Sequence, residues 1–391
     1  MDFEVWWLLV LPLFFGMGWL AARIDIRHVM RESRALPVSY FQGLNFLLNE
    51  QPDKAIEAFN EVVKVNPETV ELHFALGSLF RRQGEIDRAI RLHQSMLERP
   101  DLPGDKRTTA LYEIGQDYQK AGLLDRAEES FLKLEGTTYE AQARDRLLQI
   151  YEHEKDWLKA IAVTRKIEEA THVPYFKEVA HYYCELGSVE MLQSRFESAR
   201  KYLEQALSEY KACVRATLLL GDLAVAEGNP QDAIGIWQRI ESQNPAYLGL
   251  AAEKFRDAYV KTGQPEQGLR LLSGYQAKYP SPQLMSSMFR LTIDTQGADA
   301  AAALIREELR RNPTLMGLDR LLEAEMLNAS QQRRRDMEMV KDLVHQHTRR
   351  MGLFRCENCG FRARQYYWRC PGCGRWESYP PRIDEAGEGQ G

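Results

Sequence analysis

GLNFLLNEQPDKAIEAF at residues 43–59, GSLFRRQGEIDRAIRLH at 77–93 and GQDYQKAGLLDRAEESF at 115–131 are copies of one pattern. In each, a glycine is followed twelve residues later by an alanine, and four residues after that by a bulky side chain. The spacing recurs as Gly187/Ala199/Leu203 and Gly221/Ala233/Trp237. With the weaker Ala160 between them, the alanines at 55, 89, 127, 199 and 233 keep one phase, and several steps are 34 residues. The segments between punctuation residues have helical spacing, and no stretch reads convincingly as a strand. Such a period predicts stacked pairs of antiparallel helices. The small residues let the two backbones approach closely, and the bulky one is expected to fill the gap to the next pair. Pro67, Pro245, Pro280 and Pro313 stand twelve residues after the phase mark and close the second helix.

This pattern resembles the tetratricopeptide repeat and predicts an all-α superhelix of about eight units over residues 36–314. Units four, seven and eight are degenerate, with Leu148 and Arg256 in place of the first glycine and Gly268 in place of the alanine. PDLPGDKR, residues 100–107, is expected to lengthen the connection between units two and three. Residues 315–350 read as one or two capping helices with a polar outer face at 331–335. No unit buries its own apolar face, so stability comes from stacking, and the concave surface of such an array suits peptides or helices of other proteins. The chain has no Walker loop, no Gly-x-Ser-x-Gly elbow and no His-Glu-x-x-His pair. It is therefore read as a binding protein and not an enzyme, with no catalytic residue and no organic cofactor site. His73, His93, His153 and His181 fall within repeat helices as packing or groove residues.

Residues 5–22, VWWLLVLPLFFGMGWLAA, carry no charge. As a helix they cover roughly 27 Å, enough for the hydrocarbon core of a bilayer. Asp2 and Glu4 precede the run where a cleaved signal peptide would be basic, whereas Arg23, Arg27, Arg31 and Arg34 follow it. The expectation is a single-pass anchor in residues 1–22 and a basic juxtamembrane linker in 23–35, with the N-terminus outside and the bulk of the chain cytoplasmic.

Cys356-Glu-Asn-Cys359-Gly and Cys370-Pro-Gly-Cys373-Gly lie ten residues apart. Two such turns can aim four thiolates at one point, a closed tetrahedral shell for one Zn²⁺ or iron ion. The metal ligands are thus read as Cys356, Cys359, Cys370 and Cys373, within a module at residues 351–380. His345 and His347 lie close by but find the shell already complete. A reducing cytosol keeps such thiols available. Cys184 and Cys213 sit in apolar helical surroundings and read as buried thiols.

Net charge is −5, so no global bias toward nucleic acid exists. One local exception is the module itself, where Arg355, Arg362, Arg364, Arg369 and Arg375 interleave with Tyr366, Tyr367 and Trp368. Residues 381–391 form a low-complexity tail expected to be disordered.

Anchor, repeats and terminal knuckles together resemble the lipopolysaccharide assembly protein B family of Gram-negative inner membranes, over essentially the whole chain. The knuckle residues Cys356, Cys359, Gly360, Cys370, Pro371, Cys373 and Gly374 resemble those of rubredoxins, although ten intervening residues are too few for a rubredoxin sheet. The resemblance implies an adaptor that presents the lipid A deacetylase, the committed-step enzyme, to a membrane AAA⁺ protease. It further implies contacts with an inner-membrane lipopolysaccharide-sensing protein and the transport machinery, slightly favours iron over zinc, and leaves room for a homodimer. The module is expected to pack back on the repeats. Two other classes stay open at this point: a rubredoxin-like electron carrier, and an RNA-binding repeat scaffold using the arginine–aromatic patch.

Overall fold

A computed structural model describes residues 19, 41–43, 45–46, 49, 51–65, 70–351 and 354–381. Apart from Trp19, the predicted anchor and linker lie outside the described residues, as does the tail beyond residue 381. Among the described residues no helix is long and apolar enough to cross a membrane.

The chain divides into two compact units between Glu154 and Lys155. The first holds helices α1 (Pro52–Val65), α2 (Val70–Gln83), α3 (Ile86–Leu97), α4 (Gly104–Lys120), α5 (Leu124–Leu132) and α6 (Glu140–Glu154). The second begins with α7 (Trp157–Thr171), α8 (Phe176–Leu192), α9 (Phe196–Glu209), α10 (Val214–Ala226), α11 (Pro230–Gln238) and the single turn α12 (Ile240–Gln243). A 3₁₀ turn at Pro245–Tyr247 leads to α13 (Leu248–Lys261), α14 (Pro265–Lys278), α15 (Pro282–Gln296), α16 (Ala298–Arg311), α17 (Leu315–Leu327) and α18 (Gln331–Met351). The fold is a mostly helical tetratricopeptide-repeat array with a small C-terminal metal-binding module.

The repeat pattern has a direct steric meaning. A Cβ added to Gly43, Gly77, Gly115, Gly187 or Gly221 would stand 2.4, 2.3, 2.7, 2.8 or 2.0 Å from Phe59, His93, Phe131, Leu203 or Trp237. The bulky residue therefore closes over the glycine of its own helix pair, where the sequence suggested a gap between pairs. The five phase alanines are fully buried. At Trp237 the fit includes a hydrogen bond from Nε1–H to the Leu218 carbonyl at 3.1 Å. His93 is the polar member of the set. Its Nδ1 lies 2.6 Å from Asp117 Oδ2, and Asp117 Oδ1 in turn accepts from Arg81 at 2.7 Å.

The turns between paired helices share one backbone device. Gly84, Gly122, Gly228 and Gly263 have φ between 71° and 87°. At each, the next residue donates its N–H five residues back: Glu85 to Phe80, Leu123 to Tyr118, Asn229 to Ala224 and Gln264 to Tyr259. This is the left-handed helix stop that glycine favours. Ser194 occupies the same place at φ 58°, with Arg195 donating to Glu190. The expected long connection at residues 100–107 is shorter than its sequence implies, because α4 starts at Gly104 directly after Pro103.

Candidate metal centre

The two Cys-x-x-Cys-Gly turns adopt one conformation. In the first, Cys356 N–H donates to the Phe361 carbonyl and Gly360 N–H to the Cys356 carbonyl, both at 2.9 Å. In the second, Cys370 N–H donates to the Arg375 carbonyl at 2.9 Å and Gly374 N–H to the Cys370 carbonyl at 2.8 Å. Gly360 and Gly374 have φ 74° and 72°, a region that favours glycine. A small sheet does form, with one of its strands inside the ten-residue spacer: β1 (Phe354–Arg355) pairs antiparallel with β2 (Arg362–Ala363) around the first turn, and an Arg369–Trp376 bridge closes the second. Phe354 points inward, while Arg355 and Arg362 face solvent.

Together the turns bring all four sulfurs within 4.8 Å of one another. Cys356 and Cys373 Sγ are 3.8 Å apart, and Cys359 and Cys370 Sγ are 3.6 Å apart. Four metal–sulfur bonds of about 2.3 Å in a tetrahedron give edges of about 3.8 Å, so the donor set fits one thiolate-bound ion. Cys356 and Cys370 are buried, whereas Cys359 and Cys373 are exposed. Burial opposes ionisation of Cys356, but hydrogen bonds from the Ser378 hydroxyl and the Cys359 and Asn358 amides outweigh it and bring its thiol down to about 6. The Arg375 amide and the Asn358 side chain lower Cys373. At Cys359 the Phe361 amide favours the thiolate, yet burial and the neighbouring sulfurs prevail and push it up to about 12. Crowded sulfurs resist carrying a full set of charges alone; a cation relieves that repulsion. Zinc and iron both satisfy this geometry. The other two thiols, Cys184 and Cys213, lie buried with their sulfurs 3.8 Å apart.

The module packs on the second unit through the aromatic residues that the sequence placed in a basic surface patch. Trp368 stacks on Tyr247 at 5.4 Å and 7°, and Tyr366 meets the same ring edge-on at 6.1 Å. Trp376 stacks on His181 of α8 at 4.8 Å and 7°. Tyr366 and Trp368 pack against the apolar cluster that includes Tyr247, Leu248 and Ala251, which leaves less of their faces open to stacking bases. Burial, the larger influence, lowers the His181 pKa, and Glu377 opposes it. The roles of Tyr247, Ser378 and Glu377 were invisible in the sequence, whereas His181, expected to be a packing or groove residue, packs against the module. The density of aromatic residues at 366–379 was the available signal, because so many rings in a charged segment need a partner surface.

Comparison with known proteins agrees with this architecture. Residues 354–380 match the rubredoxin metal binding domain family, and residues 42–103 and 184–247 match the tetratricopeptide repeat family. Over 376 residues, 95% of this chain and 97% of its relative, the sequence is 32% identical to lipopolysaccharide assembly protein B of Escherichia coli strain K12. Its counterpart in Haemophilus influenzae is 29% identical, with 95% of this chain and 97% of the relative covered.

Proposed function

The chain belongs to the lipopolysaccharide assembly protein B family, and from that premise we propose that it is a non-enzymatic adaptor regulating lipopolysaccharide assembly at the inner membrane. On this reading residues 1–22 anchor it, 23–35 link, 36–314 hold a client, 315–350 cap the repeats, 351–380 hold the ion and 381–391 trail. The N-terminus is periplasmic and the bulk cytoplasmic. The client is the committed lipid A deacetylase, presented to a membrane AAA⁺ protease, with the lipopolysaccharide-sensing protein and transport machinery as further partners. Anchoring keeps client and protease at high effective concentration, so modest affinities suffice.

The observation that carries the reading is a cleft of about 740 Å³ along three successive inter-repeat loops of the second unit, lined by Asn244, Gln276, Tyr279, Gln283, Glu308 and Asn312. Its floor is braced: Gln276 donates to Glu308 at 2.8 Å and accepts from the Ser281 N–H at 3.0 Å. A braced rim of side-chain amides and one carboxylate, Glu308, suits the backbone of an extended polypeptide. The deciding experiment crosslinks the full chain in its native membrane and measures the client's half-life, with and without residues 1–22. The truncated chain should fold yet leave the client stable; normal client turnover by the truncated form would refute tethering. The exposed sulfurs of Cys359 and Cys373 favour one second reading, electron transfer, which requires an iron-loaded chain whose visible absorption bleaches on reduction and recovers with turnover.

A further inference from the structure

Four consecutive residues after the second knuckle face two ways. Trp376 and Glu377 face the repeats. Besides stacking on His181, Trp376 meets Tyr182 and Trp157 edge-on at 6.0 and 6.3 Å, and lies 5.6 Å from the guanidinium groups of both Arg215 and Arg369. Glu377 Oε1 comes within 3.2 Å of His181 Nε2, a close polar contact without hydrogen-bond alignment. Ser378 and Tyr379 face the sulfurs. Ser378 Oγ is 3.3 Å from Cys356 Sγ, and Tyr379 OH is 3.7 Å from Cys370 Sγ, so each buried sulfur has one hydroxyl neighbour. The Ser378 carbonyl also accepts from the Glu357 N–H at 2.8 Å, tying the strap to the first knuckle. The reversal occurs at Glu377, whose φ of 47° is left-handed. A non-glycine residue holds such a conformation only where its surroundings over-determine it.

We propose that this strap, residues 376–379, couples retention of the ion to the seating of the module on α8. His181, which contacts no ligand cysteine, is thereby a positioning residue for the metal centre. When α8 presents His181, the strap is held at the turn that places both hydroxyls on the buried sulfurs; when the ion leaves, those sulfurs no longer hold the strap, and the seat loosens. Coupling of this kind is reciprocal. The inference rests on the four-cysteine site and is independent of which client the repeats hold, so it can fail while the adaptor reading stands.

The test loads the full chain with Zn²⁺ and follows its release to a chromogenic chelator. Ser378→Ala should release zinc about 10- to 100-fold faster, the usual effect of losing an outer-shell partner. His181→Ala should speed release about tenfold with helical circular dichroism unchanged. Trp376→Leu removes the same contact from the module side and decides the matter where His181→Ala does not fold. As a control, Phe131→Leu loosens the packing over Gly115 in the first unit and should release zinc at the wild-type rate. Conversely, stripping zinc from the wild type should raise amide hydrogen exchange along α8. Wild-type release from the folded His181 or Trp376 variant overturns the proposal, as does equal acceleration by Phe131→Leu.

Discussion

Trp237 and Trp376 are both held in the second unit, for different reasons. Trp237 lies over Gly221 within one helix pair, almost wholly buried, and its N–H reaches the Leu218 carbonyl. Trp376 joins module to repeats, and its buried Nε1 finds no acceptor among the described residues. At Trp237 a helix pair thus satisfies a buried group locally. The module has a core of only Phe354, Cys356, Cys370 and Tyr379 with a few half-buried rings, too small to be stable alone. Its order comes from an ion on one side and a docking surface on the other. The contrast separates order built by periodic packing from order built by coordination.

The sharpest way to break the contrast is to remove a buried sulfur. Cys370→Ser should abolish stoichiometric metal binding and disorder the module, since a structural zinc contributes about 10–16 kcal/mol to small metal-organised folds. Elemental analysis should show the loss while far-UV circular dichroism shows the repeats intact; collapse of the helical signal would mean the regions are not separable. Damage to the packing side should do the reverse. Gly221→Ala places a methyl 2.0 Å from Trp237 Nε1, and overpacking of this kind costs roughly 1–3 kcal/mol. Thermal unfolding should fall with metal content unchanged.

Acid offers a subtler probe of the seat. Burial holds folded His181 below its ordinary value of 6.5. The unfolded chain therefore binds the proton more readily, and the neutral imidazole contributes stability above about pH 6.5 that is lost as pH falls through the folded value. Tryptophan fluorescence of the zinc-loaded chain should report loosening in that window, and His181→Gln should flatten the profile. An unchanged profile would assign the acid response to the sulfurs instead. The smallest effect belongs to the turns. Ser194→Gly relieves a left-handed φ of 58° and should raise unfolding stability by up to about 1 kcal/mol. A fall in stability would show that the Ser194 side chain contributes there.

Much of this was legible from spacing. The Gly–Ala–bulky triplets disclosed the helix pairs because close backbone approach tolerates few residue types, and that constraint repeats at a fixed interval. The four ligands were legible because two-residue spacing within each pair is what one turn requires. The helix-stop positions were harder to read, because Ser194 hides among the glycines and its conformation follows from its neighbours' hydrogen bonds. The arginine–aromatic patch at 366–368 left open whether its rings pack or meet a partner. Its rings are largely turned inward because the repeats provide Tyr247 and α8 as partners.

Sequence alone determined that this protein is a helix-pair repeat ending in a four-sulfur centre, because both depend on contacts between residues at short, regular separations. Only the tertiary structure decided that the module rests on His181 and Tyr247, and that Ser378 and Tyr379 approach the buried sulfurs. Those contacts join residues more than a hundred positions apart, or residues turned toward each other by a single left-handed φ, and no periodicity records either.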